Sequence, residues 1–268
     1  MSARTVDVCI PVLNEAHVLA RSVGTVREFC RANLPYRWRV VVVDNGSTDG
    51  TQDVARRLVA EAPEEVGFLH LEQRGRGRAL RHAWLSSAAD AVCYMDVDLS
   101  TELAALPKVL RAVLEEGYDV ATGSRLQKGR SKVTRSLKRY VISKSYNIIV
   151  RRVLGVHFSD AQCGFKAINR RAVQRLVPQI KDNSWFFDTE LLVLAERQGY
   201  RLADIPVRWI EDDDSRVKIV KTAWDDLKGV ARLRWMLWQW SLGLGPERRP
   251  ASEPAPPSAS ASQTPVTR

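Results

Sequence analysis

The sequence predicts an α/β fold, a mostly parallel sheet flanked by helices and closed by an amphipathic C-terminal helix. Three observations carry that prediction. Apolar runs of strand length alternate with helix-like segments through the first 125 residues, the pattern of successive βαβ units. Some of those runs, such as Val40-Val-Val-Val43, are apolar without alternation, as in strands covered on both faces. The runs end in acids: Glu15, Asp44, Asp96 and Asp98. Right-handed crossovers gather such strand ends along one sheet edge, where ligands of open α/β sheets bind.

The elements follow in order. Thr5 to Val12 is a first strand running into Pro11-Val-Leu-Asn-Glu15, with a helix to about Ala32. Trp38 to Asp44 is a second strand, ending in the turn-forming cluster Asn45-Gly-Ser-Thr-Asp-Gly-Thr51 and a helix through Ala60. Val66 to Leu71 is a third strand, after which Arg74-Gly-Arg-Gly-Arg78 opens a helix to about Ala88. Ala91 to Asp96 is the fourth strand, Glu102 to Glu116 a helix and Tyr118 to Gly123 a fifth strand. The second half is less regular. Leu137 to Leu154 is a helix with a basic flank, and Asp160-Ala-Gln-Cys-Gly-Phe165 a loop or short strand. A helix starts near Asp188, Arg201 to Trp209 is a strand, and Ala223 to Trp240 is the last, amphipathic helix. From Pro246 onward there are six prolines in 23 residues and no apolar periodicity, which reads as a disordered tail.

A chain of 268 residues with 45% apolar content can bury a sizeable core. Its four cysteines, Cys9, Cys30, Cys93 and Cys163, are widely spaced, which argues for reduced structural thiols in a cytosolic setting and against a disulfide framework or zinc site. The N-terminus enters a strand almost at once, so no signal peptide is expected, and no run reaches the roughly 18–20 apolar residues of a membrane span. The expectation is a protein that is soluble or lies on a membrane surface. The net charge of +10 is concentrated: Val120 to Ser159 holds ten Lys and Arg and no Asp or Glu. Such a block suits nucleic acid, anionic lipid or a phosphorylated substrate.

Asp96-Val-Asp98 lies at the end of the fourth apolar run. Two carboxylates one residue apart repel each other and lose hydration together, so a cation between them is expected. Hard oxygen ligands suit Mg²⁺ or Mn²⁺, which usually share coordination with substrate phosphates. Alone, the pattern is equally a helix cap, at Asp98 or Ser100, beside a surface acid. The loop Asp44-Asn-Gly-Ser-Thr-Asp-Gly-Thr51 likewise offers a carboxylate for a base N–H and backbone N–H groups for phosphate or ribose, or else a plain Asx-turn and cap.

Pro11-Val-Leu-Asn-Glu15, Val43-Asp-Asn-Gly-Ser-Thr-Asp-Gly-Thr51, Arg74-Gly-Arg-Gly-Arg-Ala79 and Asp96-Val-Asp98 occur in an order and spacing that resembles the family 2 glycosyltransferases of GT-A fold. Gly123-Ser-Arg125, Asp160-Ala-Gln-Cys-Gly-Phe-Lys166, Trp185-Phe-Phe-Asp-Thr-Glu-Leu-Leu192 and Val207-Arg-Trp-Ile-Glu211 with Ser215-Arg216 look like the dolichyl-phosphate glucosyltransferases, with the dolichol-phosphate mannose synthases as close relatives. The resemblance implies a GT-A-type, Rossmann-like domain over residues 1–243, with a donor-binding half of about 1–125 and an acceptor half of about 126–243, before a tail of 244–268.

It also implies roles. Pro11, Leu13, Glu15 and Asp44, with Gly46 and Arg76, would hold the donor nucleotide. Asp96 and Asp98 would hold Mg²⁺ or Mn²⁺ and the diphosphate, with Ser100 where the mannose synthases place a ligating Gln. Arg216 and Lys218 would close over that diphosphate, and Arg125, Arg139 and Ser143 would grip the acceptor phosphate, a fit for bidentate guanidinium chemistry. Asp98, Arg125 and Asp188 are the catalytic candidates. Asp188 is a general base if the acceptor is a hydroxyl and a positioning or capping residue if it is a phosphate, and Glu190 could pair with an arginine. The acidic run Glu211-Asp-Asp-Asp214 reads as a solvated loop.

The implied activity is inverting transfer of a hexose from UDP-glucose, with GDP-mannose next, to a polyprenyl phosphate. The alternative keeps the fold and takes a soluble hydroxyl acceptor. Trp224, Trp235, Trp238 and Trp240 with Lys228, Arg232 and Arg234 suit a headgroup region or a packed helix equally. The expected location is the cytoplasmic side, peripheral at the inner face of the membrane or on a separate membrane-protein partner. Nucleic acid is not an expected partner, because the basic segment lacks interleaved aromatic RNA-binding motifs and does not explain the strand-end acids.

Overall fold

A computed structural model describes residues 3–127, 131–134, 137–210 and 219–246, with backbone alone at 132, 134, 137–140 and 219–221. The strands are β1 (Thr5–Val12), β2 (Arg37–Asn45), β3 (Val66–Leu71), β4 (Ala91–Met95), β5 (Val120–Ser124), β6 (Lys132–Thr134), β7 (Phe165–Asn169), β8 (Leu202–Pro206) and β9 (Arg208–Ile210). The helices are α1 (Ala16–Asn33), α2 (Thr51–Glu61), α3 (Arg76–Ser86), α4 (Leu106–Leu114), α5 (Leu137–Leu154), α6 (Arg170–Leu176), α7 (Phe187–Arg197) and α8 (Ile219–Gln239).

Seven strands form one sheet in the order β3-β2-β1-β4-β7-β5-β8. All are parallel except β7, which runs antiparallel to both neighbours, β4 and β5. Side chains of a strand alternate between faces. Val6, Val8, Ile10 and Val12 accordingly face α1, α2 and α4, while Cys9 joins the other core with α3, α5, α6, α7 and α8. The unbroken valines of β2 divide in the same way, Val40 and Val42 to one core and Val41 and Val43 to the other. All four cysteines are buried and unpaired, as expected, and burial pushes the Cys30 and Cys163 thiols up to about 12.

The first four strands and α5 match the sequence reading closely. The strand expected over Arg201 to Trp209 is instead two, because Pro206 has no N–H to donate and ends β8. After one residue the chain leaves the main sheet, and β9 pairs in parallel with β6. The helix expected from Glu102 opens with a 3₁₀ turn at Leu103–Ala105, and the fifth strand begins two residues later than expected. Among the described residues, no helix is long and apolar enough to cross a membrane. Residues 247–268, most of the expected tail, lie outside the described residues.

Candidate active site

The exits of β1, β2 and β3 are stitched into one surface. Asn14, at φ +58°, donates its N–H to Ser47 Oγ (2.8 Å) and accepts from Thr48 N at 2.8 Å. Glu15 N donates to Thr51 Oγ1 (2.9 Å), and Asn45 reaches back to Val12 O (2.7 Å) while accepting from Gly75 N (3.1 Å). Pro11 is buried at the end of β1, and Leu13 and Glu15 are half-buried just beyond it. Gly46 takes φ +85°, and a Cβ there would come within 2.9 Å of the Glu72 carbonyl oxygen, so the turn after β2 admits glycine.

Asp44 is fully buried at the base of this surface. One carboxylate oxygen accepts from Ser47 N (3.1 Å), the Asx-turn anticipated for this loop, and the other lies 2.7 Å from His70 Nδ1. That contact, aided by Glu72 at 3.2 Å from Nε2, raises the His70 pKa. His70 was not singled out in the sequence. Its one signal is its place near the end of the third strand, opposite Asp44 in the β2–β3 register.

The centre of the site is a chain of alternating charges, fully buried at Lys166 and Asp188 and open to solvent at Asp96. Arg76, at the start of α3, donates to Asp96 Oδ1 (2.8 Å) and to Asp188 Oδ2 (2.7 Å). Its guanidinium is flanked by the rings of Tyr94 and Trp185, 4.8 and 4.9 Å from their centroids. Asp188, at the start of α7, also accepts from the Tyr94 hydroxyl (2.5 Å) and lies 3.3 Å from Lys166 Nζ. Burial alone would raise the Asp188 pKa, but the Lys166 and Arg76 charges and the Tyr94 hydroxyl hold it below the usual carboxylate range. An ionised carboxylate so saturated is a poor proton acceptor.

Asp96 and Asp98 follow β4 in a tight turn, with Leu99 in the left-handed region at φ +53°. Strained backbone of this kind costs about 1–3 kcal/mol and clusters at functional sites. Asp98 is exposed and accepts from Ser100 N (2.9 Å) in an Asx-turn; neither residue caps a helix, since the next helical turn begins at Leu103 after Glu102. Asp96 presses on Gly164 so closely that a Cβ there would overlap the carboxylate. Among the described residues, no three His, Cys, Asp or Glu side chains group to hold a metal. Two carboxylates beside an open turn still fit Mg²⁺ or Mn²⁺, provided most of the coordination comes from the substrate's phosphates.

Arg125 does not stand alone. Asp160, fully buried, accepts from Arg125 N (3.0 Å), Nε (2.8 Å) and Nη2 (3.0 Å), and the guanidinium sits 5.6 Å from the Trp209 ring centroid. Burial would raise the Asp160 pKa, but Arg125 lowers it below the ordinary value. On α5, Ser143 Oγ is buried with no hydrogen-bond partner among the described residues. The Arg139 side chain, Arg216, Lys218 and the acidic run of 211–214 lie outside the described residues. Glu190, fully buried, does pair with an arginine: Arg232 of α8 grips it through both nitrogens (2.7 and 2.8 Å). Arg232 therefore turns inward, away from the face that carries the exposed tryptophans.

The structure thus joins Asp96 and Asp188 through Arg76, keeps Asp44 at the end of β2, two strands from β4, and places Arg125 beyond β7. Asp160, Lys166 and Trp185 lie inside motifs quoted above, and Tyr94 inside the fourth strand, although none of them was named as a site residue.

Solved structures with this architecture include glucosyl-3-phosphoglycerate synthase from Mycobacterium tuberculosis. Its complex with uridine diphosphate gives a TM-score of 0.64 at 18% identity, over 86% of this chain and 80% of that one. Its complex with Mn²⁺, uridine diphosphate and glucosyl-3-phosphoglycerate gives 0.60 at 18% identity, over 91% and 81%. At that identity the likeness is one of fold, and the fold is GT-A-like. Sequence narrows the class: the chain belongs to glycosyl transferase family 2, matched over residues 7–177. It is 37% identical over 243 residues to glycosyltransferase AglD of Haloferax volcanii, covering 90% of this chain but 38% of AglD. It is 27% identical over 256 residues to the dolichyl-phosphate beta-glucosyltransferase of Saccharomyces cerevisiae, covering 89% of this chain and 75% of that one. The corresponding enzyme of Dictyostelium discoideum is 25% identical over 88% of this chain and 76% of its own length.

Proposed function

We propose that this protein transfers a hexose, preferably glucose from UDP-glucose, to a polyprenyl phosphate of the dolichyl type. A phosphate oxygen of the acceptor attacks the anomeric carbon while the nucleoside diphosphate departs from the opposite face. The α-linked donor thereby becomes a β-linked polyprenyl-phosphate sugar.

The saturated, ionised Asp188 is the observation that carries this reading over one with a hydroxyl acceptor. A hydroxyl needs a base within reach, and Asp188 already receives hydrogen bonds from Tyr94 and Arg76 with Lys166 close by. A phosphate monoester, with its second pKa near about 6, needs none. Asp188 is then a positioning residue that holds Arg76 against Asp96. Glu15, Asp44 and Gly46 line the nucleotide side, with Pro11 and Leu13 beneath. Asp96 and Asp98 would hold Mg²⁺ or Mn²⁺ against the diphosphate, where the ion neutralises the leaving charge. Arg125 keeps Nη1 for the acceptor phosphate once Asp160 has taken Nε and Nη2. Ser143 Oγ, buried and unpartnered, suits a phosphate oxygen, and Arg139, Arg216 and Lys218 complete the assignment. The relatives named dolichyl-phosphate beta-glucosyltransferase support the acceptor class and the sugar. GDP-mannose is the second donor candidate.

A membrane surface is the proposed setting, at its cytoplasmic face. The adjoining helices α5 and α8 expose Val141, Ile142, Ile148, Trp224, Trp235 and Trp238, among Lys144, Arg151, Arg152, Lys228 and Arg234. Tryptophan and cations on such a face fit a bilayer headgroup region. The test supplies polyprenyl phosphate in vesicles with labelled UDP-glucose and GDP-mannose, with and without EDTA. Metal-dependent labelling of the lipid is expected, strongest with UDP-glucose. No transfer to lipid from either donor rejects the proposal.

A further inference from the structure

Lys166 is the second residue of β7, with a fully buried side chain. A buried ammonium is expensive unless paired and hydrogen-bonded. Here it donates to Cys163 O (2.6 Å) and Ala161 O (3.2 Å), lies 3.3 Å from Asp188 Oδ1, and sits 5.8 Å from the Tyr94 ring centroid. The two carbonyls belong to the loop between Asp160 and Phe165. That loop does two jobs at once: Asp160 clamps Arg125, and Gly164 backs the Asp96 carboxylate. The third contact leads through Asp188 and Arg76 to the same Asp96 from the other side. Three cations, the half-buried Arg76 and Arg125 and the fully buried Lys166, thus interleave with Asp96, Asp160 and Asp188. Among the charged groups of this network, Lys166 is the one that touches both the loop and the Asp188–Arg76 pair, and the Tyr94 hydroxyl runs beside it from Asp188 to Cys163 O (3.3 Å).

We infer that Lys166 is a positioning residue that couples the acceptor-side arginine Arg125 to the donor-side carboxylate Asp96, so that one buried ammonium sets the geometry of both halves of the transfer site. This rests on the proposed function, since the two halves are named by it. Removing the ammonium frees the Ala161 carbonyl, leaves Cys163 O with the longer bond from Tyr94, and leaves Asp188 to Arg76 and Tyr94. Asp160 and Gly164 then shift together, and both binding steps weaken.

The test uses the full chain with Lys166→Met, Lys166→Arg and the double variant Lys166→Met/Asp188→Asn. Folding is followed by circular dichroism and thermal unfolding, donor-side affinity by calorimetry with UDP and Mn²⁺, and acceptor KM by transfer to polyprenyl phosphate. Folded Lys166→Met is expected to lose about tenfold or more in UDP·Mn²⁺ affinity and to raise acceptor KM by a similar factor, with Lys166→Arg recovering part of both. The double variant is expected to be no worse than Lys166→Met in UDP·Mn²⁺ affinity, because members of one network are not additive. A lysine that serves stability alone would lower the unfolding temperature and leave both constants within twofold, which overturns the inference. Should Lys166→Met fail to fold, the double variant, which removes both buried charges, decides by the same two constants. A wild-type protein that binds no nucleoside diphosphate rejects the proposed function itself, and the inference with it.

Discussion

Replacing Gly164 by alanine puts one methyl group where the Asp96 carboxylate now lies. The added Cβ would overlap Asp96 Oδ2 and fall 2.5 Å from Cγ and 2.9 Å from Oδ1. Ordinary separations between non-bonded carbons are about 3.5–4.0 Å, so the carboxylate must retreat by at least about 1 Å or the β7 entry must move by as much. Either movement breaks the 2.8 Å bond from Arg76, because a charge-assisted hydrogen bond tolerates little stretching. Overpacking of this kind costs about 1–3 kcal/mol in stability, which a chain of this size survives. A 1 Å misplacement in a reacting site costs about 10²-fold in rate. Gly164→Ala should therefore stay folded by circular dichroism yet lose about 10²-fold in kcat/KM for transfer to polyprenyl phosphate, with UDP·Mn²⁺ affinity reduced in calorimetry. A folded variant within threefold of wild type on both counts would refute the placement of Asp96 at the centre of the chemistry.

Other consequences are open to measurement. Burial, with Asp182 nearby, pushes the Asp226 pKa up to about 7, although Gln162 donates to it at 2.7 Å. Folding then favours its protonated form, so stability is greatest below the unfolded value near about 4 and falls as pH rises towards 7. Asp226→Asn should stabilise the protein by roughly 2–4 kcal/mol at pH 8 and by little at pH 4, measured by urea unfolding at the two pH values. Asp188 is the opposite case: its folded pKa is lowered, so its contribution is full above about pH 4 and is lost as pH falls through the folded value. Asp188→Asn should cost about 3–5 kcal/mol by stranding Arg76 and Lys166, while the shape of the pH–rate profile from 6 to 9 stays that of wild type. Loss of an ionisation from that profile would mark Asp188 as a base and point to a hydroxyl acceptor. With Asp96 already engaged by Arg76 and Asp98 by Ser100 N, Mn²⁺ should bind weakly to the protein alone and tightly with UDP. Tight calorimetric binding without nucleotide would count against that order.

The parts of the molecule that could be read from the chain are those in which each residue reports on its own surroundings. The valines of β2 are buried on both faces and look it, and the strand-end acids lie where parallel strands must put them. The parts that could not be read depend on pairings distant in sequence. β7, Phe-Lys-Ala-Ile-Asn, carries a lysine as its second residue and resembles a polar interruption of a core strand. Only Asp188, 22 residues on in α7, and two carbonyls of the preceding loop make that lysine tolerable in the interior. His70 is similar, an unremarkable residue until β3 sets it against Asp44. Arg76 belonged to a recognised turn, but nothing local to Arg-Gly-Arg announces that its side chain bridges Asp96 and Asp188. Pro206 was the opposite, a visible signal of strand termination that the longer strand reading passed over.

The strand order has a consequence for how the chain can assemble. Both neighbours of β5, namely β7 and β8, come later in sequence, so β5 has no partner in the main sheet until Phe165–Asn169 and Leu202–Pro206 have been made. During synthesis the first four strands can pair with one another, leaving β4 as a bare apolar edge of the kind that invites intermolecular pairing. The same insertion that brings Lys166 beneath Asp188 thus closes the sheet late, through pairings of long sequence separation that slow folding. A chain truncated at residue 125 would keep the acids of the nucleotide side but lose the strand that covers their edge, so we expect it to be recovered as aggregate.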